Sequence, residues 1–523
     1  MDKLFLETMT WTEVKQAMAH GVDAVLIPLG AMEQHGPHLP IFTDTWLGYA
    51  LCGRIAGKVG NMLVAPPVYP GRSDHHMAFA GTITLTNETF KAVVKDYCWS
   101  LAEHGFGNLV LICTHGGNQK SADEVLVEIR SGLDASVYCV DGKTAREISR
   151  GVNEQLGLDQ AKCGQHSGLT ETSMLLATCP ELVRMDWAVE GWVGEYGPDF
   201  GAQLAEKGMA AISASGILGD PRSSTARTGE DILELRSQGY ARFIRGLLGR
   251  TGEMQASGGD LPVRRRQGRK ILMEEMTSRE IGEAISAGWD TVCVLMGSIE
   301  QHGPHLPVGT DTMLGYERGL RLAERLGNAL VAPVIRPGLS RHHMAFPGTI
   351  TLRPETFTSL VLEFCLALAQ HGFERIVLMP THGGNYGATA QVFPIIREAL
   401  PDVVVVMLGR EESRAVHRTL QPKLGLDPKR AGVHSGLVET SMMLVHHSDL
   451  VNLDEAKEGW VGDFDDEAAS LLESGGTHAL SALGVLGDPR GSNAELGEQY
   501  LELWTGLYAQ VVRGQFQQVL VSP

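Results

Sequence analysis

The sequence lacks the features that mark membrane proteins and proteins of oxidising compartments. None of the apolar runs in its 523 residues reaches the roughly 18 to 20 residues that a helix needs to cross a bilayer. Its eight cysteines form no C-x-x-C pair and six lie in the first half, which argues against a disulfide framework or a zinc ribbon. The N-terminus has neither a basic start nor a long apolar stretch, so we expect a cytoplasmic protein with free, buried thiols.

Basic residues are also in the minority. The chain has 44 Lys and Arg against 62 Asp and Glu, which gives a formal net charge of −18. Nucleic acids and anionic membrane surfaces bind basic patches, so we expect neither as the main partner. Hydrophobic residues make up 43% of the chain, a typical share for globular domains, and the length fits two domains of about 250 residues each.

The chain consists of two copies of one pattern. The octapeptide EQHGPHLP occurs at residues 33–40 and again at 300–307, and the pentapeptide THGGN occurs at 114–118 and again at 381–385. Matched motifs keep the same spacing within each copy, apart from one inserted or deleted residue further along. Self-similarity on this scale indicates a tandem duplication of a whole domain.

The join between the copies lies where apolar periodicity disappears and Gly, Ser, Pro and Arg accumulate. We therefore predict an N-terminal domain at 1–250, a linker at 251–268 and a C-terminal domain at 269–523. Three consecutive arginines at 264–266 could form an anion site, but such a short charge run is more typical of a solvated linker.

Helical and strand patterns alternate within each half. Thr10 and Glu13 form a capping-box pattern that opens a helix. The apolar segments 23–30, 108–114 and 135–140 are typical of buried strands. Strands of this kind, separated by helices, predict a three-layer α/β/α domain with a mostly parallel sheet in each copy. Ligand sites in such folds lie at the carboxyl ends of the strands.

The octapeptide begins just past the first predicted strand and carries side chains that bind metals. Glu33 and His35 are two residues apart, so in an extended chain they point to the same side. Gly36 and Pro37 then force a turn that can bring Asp44 back beside them. Carboxylate oxygen and imidazole nitrogen together suit Zn²⁺ or Mn²⁺.

Two further motifs add ligands of the same kind. THGGN places His115 at the end of another predicted strand, and Gly116 and Gly117 let the backbone approach a ligand closely. HSGLTETS supplies His166 and, five residues later, Glu171. A single histidine at a strand end is usually structural, but three motifs of this kind that recur in both copies indicate a metal site.

Together these motifs resemble the creatininase (creatinine amidohydrolase) family. The resemblance rests on EQHGPHLP followed by an aspartate, THGGN, H-S-G-x(2)-E-T-S and the segment HHMAFPGTITL at 342–352, and it covers nearly all of each half. It implies hydrolysis of a linear or cyclic amide by a water that two divalent ions per domain activate. Zn²⁺ is the expected metal, with Mn²⁺ and Fe²⁺ as alternatives. Relatives with one repeat are commonly hexameric, which implies a homotrimer of this two-repeat chain.

The resemblance also assigns roles to residues. Implied metal ligands are Glu33, His35, Asp44, His115 and Glu171 in the first copy and Glu300, His302, Asp311, His382 and Glu439 in the second. Asp44 would bridge the two ions, and His166 and His434 match the family's catalytic histidine. We expect substrate contacts from the glycines and from one loop histidine per copy, which are His75, Gly116, Gly117, His342, Gly383 and Gly384; the histidines could equally be structural. Creatinine amidohydrolase carries a glutamate ligand where this chain has Gly117, which argues against creatinine as the substrate.

Two other functions remain open. The same centre could open a cyclic ketone such as an inosose by breaking a C–C bond, or the chain could be a binding protein with one inactive half. Neither half shows a broken ligand set, which favours an enzyme. Residues beside the motifs do differ, since Arg72 and Asp74 correspond to Leu339 and Arg341, so the two sites could accept different substrates.

Overall fold

The computed structural model describes residues 3–130, 132–197, 199–251 and 271–521. The predicted linker, with its three arginines, lies outside the described residues except for Thr251. None of the eight cysteines, all of which are described, forms a disulfide, and six of them are buried.

Each half contains a four-stranded parallel sheet. The strands are β1 (Ala24–Leu29), β2 (Met62–Val64), β3 (Asn108–Cys113), β4 (Ser136–Val140), β5 (Thr291–Met296), β6 (Ala329–Val331), β7 (Arg375–Pro380) and β8 (Val404–Met407). They are arranged in the orders β2-β1-β3-β4 and β6-β5-β7-β8. The central strands β1 and β5 are buried at every position and almost entirely apolar, because helices cover both faces of a parallel sheet. The predicted fold class is confirmed.

Helices surround both sheets. In the N-terminal half they are α1 (Trp11–Ala19), α2 (Thr43–Val59), α3 (Asn87–Glu103), α4 (Gln119–Ile129), α5 (Gly142–Gln155), α6 (Gln160–Cys163), α7 (Leu169–Thr178), α8 (Phe200–Lys207), α9 (Met209–Ile212) and α10 (Ala226–Leu247). In the C-terminal half they are α11 (Ser278–Ser286), α12 (Thr310–Leu326), α13 (Pro354–Gln370), α14 (Asn385–Ala399), α15 (Arg410–Lys423), α16 (Pro428–Ala431), α17 (Leu437–His446), α18 (Asp466–Gly475), α19 (Thr477–Leu480) and α20 (Ala494–Val521). Helix α2 packs on β1 and β2 beneath α7 and α10, whereas α3 and α4 pack together and contact β3. Within the described ranges, none of these helices is both long and apolar enough to cross a bilayer.

Capping explains where the first helix of each half begins. The Thr10 side chain accepts a hydrogen bond from the Glu13 N–H, and the Glu13 carboxylate accepts one from the Thr10 N–H. Thr277 and Glu280 repeat this capping box at α11. Two otherwise unsatisfied N–H groups are thereby paired at each helix start.

The sheet register brings the first two motifs together. Strands β1 and β3 are neighbours, and their last paired residues are Leu29 and Cys113. EQHGPHLP follows β1 and THGGN follows β3, so both motifs emerge at the same carboxyl edge of the sheet. Strands β5 and β7 repeat this arrangement with Met296 and Pro380 as the last pair.

The two halves pack against each other with approximate twofold symmetry. The Ile41 N–H donates to the Met276 carbonyl (2.9 Å), and the Val308 N–H donates to the Met9 carbonyl in the matching contact (2.8 Å). Buried apolar residues of both halves belong to one continuous core. The halves are therefore joined by a buried interface as well as by the chain itself.

Each half also supports the other half's motif loop. His104 donates through Nε2 to the Thr349 carbonyl (2.7 Å), and His371 donates to the Thr82 carbonyl (2.6 Å). The Thr349 hydroxyl in turn accepts a hydrogen bond from the Gln301 N–H (3.2 Å) in the second EQHGPHLP. These histidines thus have a structural role at the contact between the halves.

We expect His104→Ala to lower the free energy of unfolding by about 1–3 kcal/mol, because it leaves the part-buried Thr349 carbonyl without its donor. Chemical denaturation would measure the change. His20→Ala is the matched control, since His20 is exposed, and it should change stability by no more than about 0.5 kcal/mol. If both variants had the same free energy of unfolding, the proposed support of the Thr349 carbonyl by His104 would be wrong.

Candidate metal centre

The three motifs of the N-terminal half converge on one buried cluster. His115 Nδ1 lies 3.1 Å from Glu33 Oε1 and 3.1 Å from Asp44 Oδ2. His35 Nε2 lies 3.3 Å from Asp44 Oδ1 and 4.0 Å from Glu171 Oε2. The structure therefore brings together all five residues of the implied ligand set.

Asp44 lies between two groups of ligand atoms. Its Oδ2 faces Glu33 and His115, whereas its Oδ1 faces His35 and Glu171. Asp44 therefore faces both groups at once. Asp44 is the second residue of α2, and it is buried although it is charged.

Hydrogen bonds to the main chain orient the imidazoles of the cluster. One ring nitrogen of each histidine donates to a carbonyl, which leaves the other nitrogen as a lone-pair donor facing the cluster. The carbonyls are those of Glu33 for His35 (3.0 Å), Arg72 for His115 (2.9 Å) and Gln34 for His166 (2.8 Å). Outer hydrogen bonds of this kind hold metal-binding histidines in the required tautomer.

The cluster fits a divalent cation. Among the described residues, Glu33 Oε1, His35 Nε2 and Asp44 Oδ2 are buried and have no hydrogen-bond partner. Burial of several unpaired carboxylate and imidazole groups is costly unless a cation compensates their charge. Oxygen and nitrogen ligands at these positions suit Zn²⁺ or Mn²⁺.

The pKa shifts of two histidines in the cluster show that it stabilises positive charge. Burial alone would lower the pKa of His35, but the carboxylates of Asp44, Glu171 and Glu33 raise it to about 9. Burial by itself would also lower the pKa of His115. The carboxylates of Glu33 and Asp44 nevertheless hold this pKa well above its usual value. The carboxylates thus favour cationic partners at the two positions where a metal would bind.

The C-terminal half repeats the cluster. His382 Nδ1 lies 3.1 Å from Glu300 Oε1 and 3.1 Å from Asp311 Oδ2, and His302 Nε2 lies 3.5 Å from Asp311 Oδ1. In the described part of the chain, His302 Nε2 and both Glu300 carboxylate oxygens are buried without a hydrogen-bond partner. Glu439 belongs to a candidate ligand group with His302 and His434.

Backbone geometry orients the carboxylate of the third motif. Ser167 has a φ of 56°, in the left-handed region that few residues other than glycine adopt. Its N–H donates to Glu171 Oε2 at 2.5 Å. Ser435 has the same φ, and its N–H makes the same bond to Glu439. A strained conformation that recurs at both clusters indicates a functional constraint.

The structure places His76 closer to the carboxylates of the cluster than its neighbour His75, the predicted substrate contact. His76 is buried and its Nε2 lies 3.5 Å from Glu33 Oε1, whereas His75 stacks over His115 with ring centroids 5.8 Å apart. His343 occupies the position of His76 in the second half. Both histidines of the pair recur in the second copy, so recurrence alone could not distinguish them.

Gln34 is a second residue that the sequence analysis missed. Its side-chain amide donates to His76 Nδ1 (2.8 Å) and to the Gly216 carbonyl (3.1 Å), while its main-chain carbonyl accepts from His166. Gln301 makes the corresponding contacts in the second half. Its identity within both copies of EQHGPHLP was the signal that could have revealed it.

The two glycines of THGGN have different surroundings. A Cβ at Gly117 would lie 2.2 Å from the Arg72 carbonyl oxygen and 2.3 Å from His115 Nε2. The backbone at Gly117 therefore leaves no room for a side chain. A Cβ at Gly116 would have open space around it, and Gly383 and Gly384 repeat this contrast.

Charged side chains near the two clusters make different contacts. In the N-terminal half Arg72 pairs with Asp74 at 2.8 Å. In the C-terminal half Arg410 lies over the Tyr386 ring at 5.4 Å and donates to the Gly383 carbonyl (3.1 Å). That the two sites accept different substrates stays a prediction.

Comparison with known proteins finds the same pattern twice along the chain. The sequence model of the family described as creatininase (creatinine amidohydrolase) matches residues 7–244 and again residues 274–512. A mycofactocin precursor peptide peptidase of Mycobacterium ulcerans (strain Agy99) is 33% identical over 223 residues, which are 40% of this chain and 79% of that relative. Creatinine amidohydrolase of Pseudomonas putida is 30% identical over 254 residues, 46% of this chain and 96% of the relative.

Two further proteins are similar to this chain, one named for a different substrate and one of solved structure. The 3-dehydro-scyllo-inosose hydrolase of Thermotoga maritima (strain ATCC 43589 / DSM 3109 / JCM 10099 / NBRC 100826 / MSB8) is 25% identical over 198 residues, 36% of this chain and 60% of the relative. A structure titled "Creatininase Mn" is 30% identical, with a TM-score of 0.40, and the match covers 47% of this chain and 98% of that one.

We expect Gly117→Ala to displace His115 and to lower metal binding in the N-terminal half, because the new methyl group would overlap the Arg72 carbonyl and the imidazole. Metal analysis by mass spectrometry of the purified variant would measure the loss. Gly116→Ala is the matched control and should keep its metal, since its Cβ would meet no atom within 4 Å. Equal metal content in the two variants would show that Gly117 is dispensable.

Proposed function

The chain belongs to the creatininase family, and from this membership we propose that it is a metal-dependent hydrolase that cleaves an amide bond of a small molecule at two sites. The main support is the buried cluster in each half, where carboxylate and imidazole atoms without partners surround a shared aspartate. Two relatives, a peptide peptidase and creatinine amidohydrolase, have names that denote the cleavage of C–N bonds.

The proposed ligands in the first half form two groups that share Asp44. Glu33 and His115 would hold one ion, and His35 and Glu171 the other. Divalent ions there supply Lewis acidity, because they polarise a substrate carbonyl and make a water molecule more acidic. The second half offers the same set, with Asp311 as the shared carboxylate.

His166 is the proposed proton carrier of the N-terminal site. Its Nε2 donates to the Gln34 carbonyl, so Nδ1 is free to accept a proton and lies 3.6 Å from Glu33 Oε1. Burial, followed by the positive charge of His35, lowers the pKa of His166 to about 3, so its imidazole is neutral near pH 7. A neutral imidazole can take a proton from water and transfer it to the leaving nitrogen. His434 has the same surroundings in the second half.

Cleavage of a C–C bond in a cyclic ketone is the second candidate reaction, favoured by the similarity to the inosose hydrolase. Both reactions begin with attack of water on a carbonyl carbon and need the same residues. A panel of formamides, lactams, short peptides and cyclic ketones would separate them. Release of an amine would support amide hydrolysis, and ring opening of the ketones alone would overturn it.

We expect Asp44→Ala to abolish metal loading of the N-terminal site only, because it removes the carboxylate shared by both ligand groups. Asp311→Ala should have the same effect on the C-terminal site. Mass spectrometry would measure the total metal content, which should fall by about half in each variant if each site holds two ions. Asp74→Ala is the control, since this exposed aspartate near the N-terminal cluster is not a proposed ligand. Full metal content in both Asp44→Ala and Asp311→Ala would contradict the assignment.

We expect His166→Ala and His434→Ala to keep near-normal metal content but to lower turnover at their own sites by about 10²- to 10⁴-fold, the usual contribution of a general acid or base. The double variant should be nearly inactive on every substrate. Steady-state kinetics and metal analysis on the same preparations would test this. Metal loss in the double variant would show that these histidines are ligands, and full activity would show that another group carries the proton.

A further inference from the structure

The shared aspartate of the C-terminal cluster has a hydrogen-bond donor that its N-terminal counterpart lacks. The Ser298 hydroxyl donates to Asp311 Oδ2 at 2.8 Å, and both residues are buried. Ala31 occupies the position of Ser298 in the first half and has no hydroxyl to offer. Asp44 Oδ2 accordingly has no hydrogen-bond partner among the described residues.

In the N-terminal cluster a hydroxyl holds a different carboxylate. Ser73 donates to Glu33 Oε2 at 2.6 Å. Ser340 is the matching serine of the second half, but its buried hydroxyl has no partner in the described ranges, and neither has either oxygen of Glu300. The supporting hydrogen bond therefore falls on the glutamate in one half and on the aspartate in the other.

The backbone at the two compared positions is held in the same way. Thr45 donates to the Ala31 carbonyl at 2.8 Å, and Thr312 donates to the Ser298 carbonyl at the same distance. Both positions are fully buried. At these two positions the hydroxyl is thus the only difference shown, which makes a reciprocal exchange of the two residues feasible.

The two supporting bonds have unequal consequences for metal binding. Asp311 lies between the two ligand groups of its cluster. A hydrogen bond that fixes the orientation of its carboxylate therefore helps to arrange the ligands of both proposed ions. Glu33 belongs to only one ligand group, so the hydrogen bond from Ser73 helps to arrange the ligands of one proposed ion. Loss of a hydrogen bond that orients a ligand commonly lowers metal affinity by about 10- to 100-fold.

From this asymmetry we infer that Ser298 is a positioning residue that makes the C-terminal centre bind divalent metal more tightly than the N-terminal centre, so that the two centres fill in sequence. This inference rests on the proposed function, because it takes the clusters as metal centres. It also goes beyond that function, since it states which half is loaded when metal is scarce.

The test is a Co²⁺ titration of the full chain after removal of metal by a chelator. Absorption of bound Co²⁺ reports affinity, and anomalous diffraction from crystals grown with too little Co²⁺ to fill both centres shows which half is occupied. In the unchanged protein the C-terminal centre should fill first. Ser298→Ala should weaken that centre by about 10- to 100-fold, and Ala31→Ser should strengthen the N-terminal centre.

Two control variants separate positioning from general damage. Ser298→Thr retains a hydroxyl, so its C-terminal centre should still fill first. Ser340→Ala should leave Co²⁺ affinity unchanged, because the Ser340 hydroxyl bonds to no ligand. Equal filling of both halves in the unchanged protein, or an unaltered affinity in Ser298→Ala, would overturn the inference alone. Absence of Co²⁺ from both clusters would instead overturn the proposed metal-dependent function.

Discussion

Each half must accommodate several buried carboxylates beside imidazoles at one edge of a parallel sheet. Such a cluster is costly in a low-dielectric interior unless each charge has a partner. Asp44 and its surroundings meet this constraint only in part, since ligand atoms on both sides of the aspartate have no hydrogen-bond partner within the described residues. The fold holds these atoms in place through main-chain carbonyls that fix the imidazoles, as the Arg72 carbonyl does for His115.

The loops that carry these groups are supported from both halves of the molecule. His104 and His371 each reach across the interface to a main-chain carbonyl beside the other half's EQHGPHLP loop. The interface is reciprocal, and it lies within a core that both halves share. Because each site rests partly on residues of the other half, the duplicated unit depends on its partner as the subunits of a dimer do.

Fusion of the copies removes the requirement that both sides of this interface be identical. Arg336 is buried, pairs with Glu7 of the other half and lies over Tyr69 with 5.3 Å between the guanidinium and the ring centroid. Tyr69 stands in the first copy at the position that Arg336 has in the second. The contact between Arg336 and Tyr69 therefore requires different residues at matching positions of the two copies. Ser298 and Ala31 show the same freedom beside the clusters. The two clusters therefore share one set of side chains while the residues around them differ.

The sequence by itself determined the duplication and the parallel α/β fold, and strand and helix periodicity placed EQHGPHLP and THGGN after strands. Only the tertiary structure shows that β1 and β3 are neighbours and that HSGLTETS joins the same cluster. The sequence could not determine the roles of neighbouring residues. His75 and His76 recur equally in both copies, and only the tertiary structure shows that His76 reaches Glu33. Gln34 likewise has no role that its type or spacing predicts. Side-chain direction and long-range hydrogen bonds depend on how separate loops pack, which local sequence patterns do not encode.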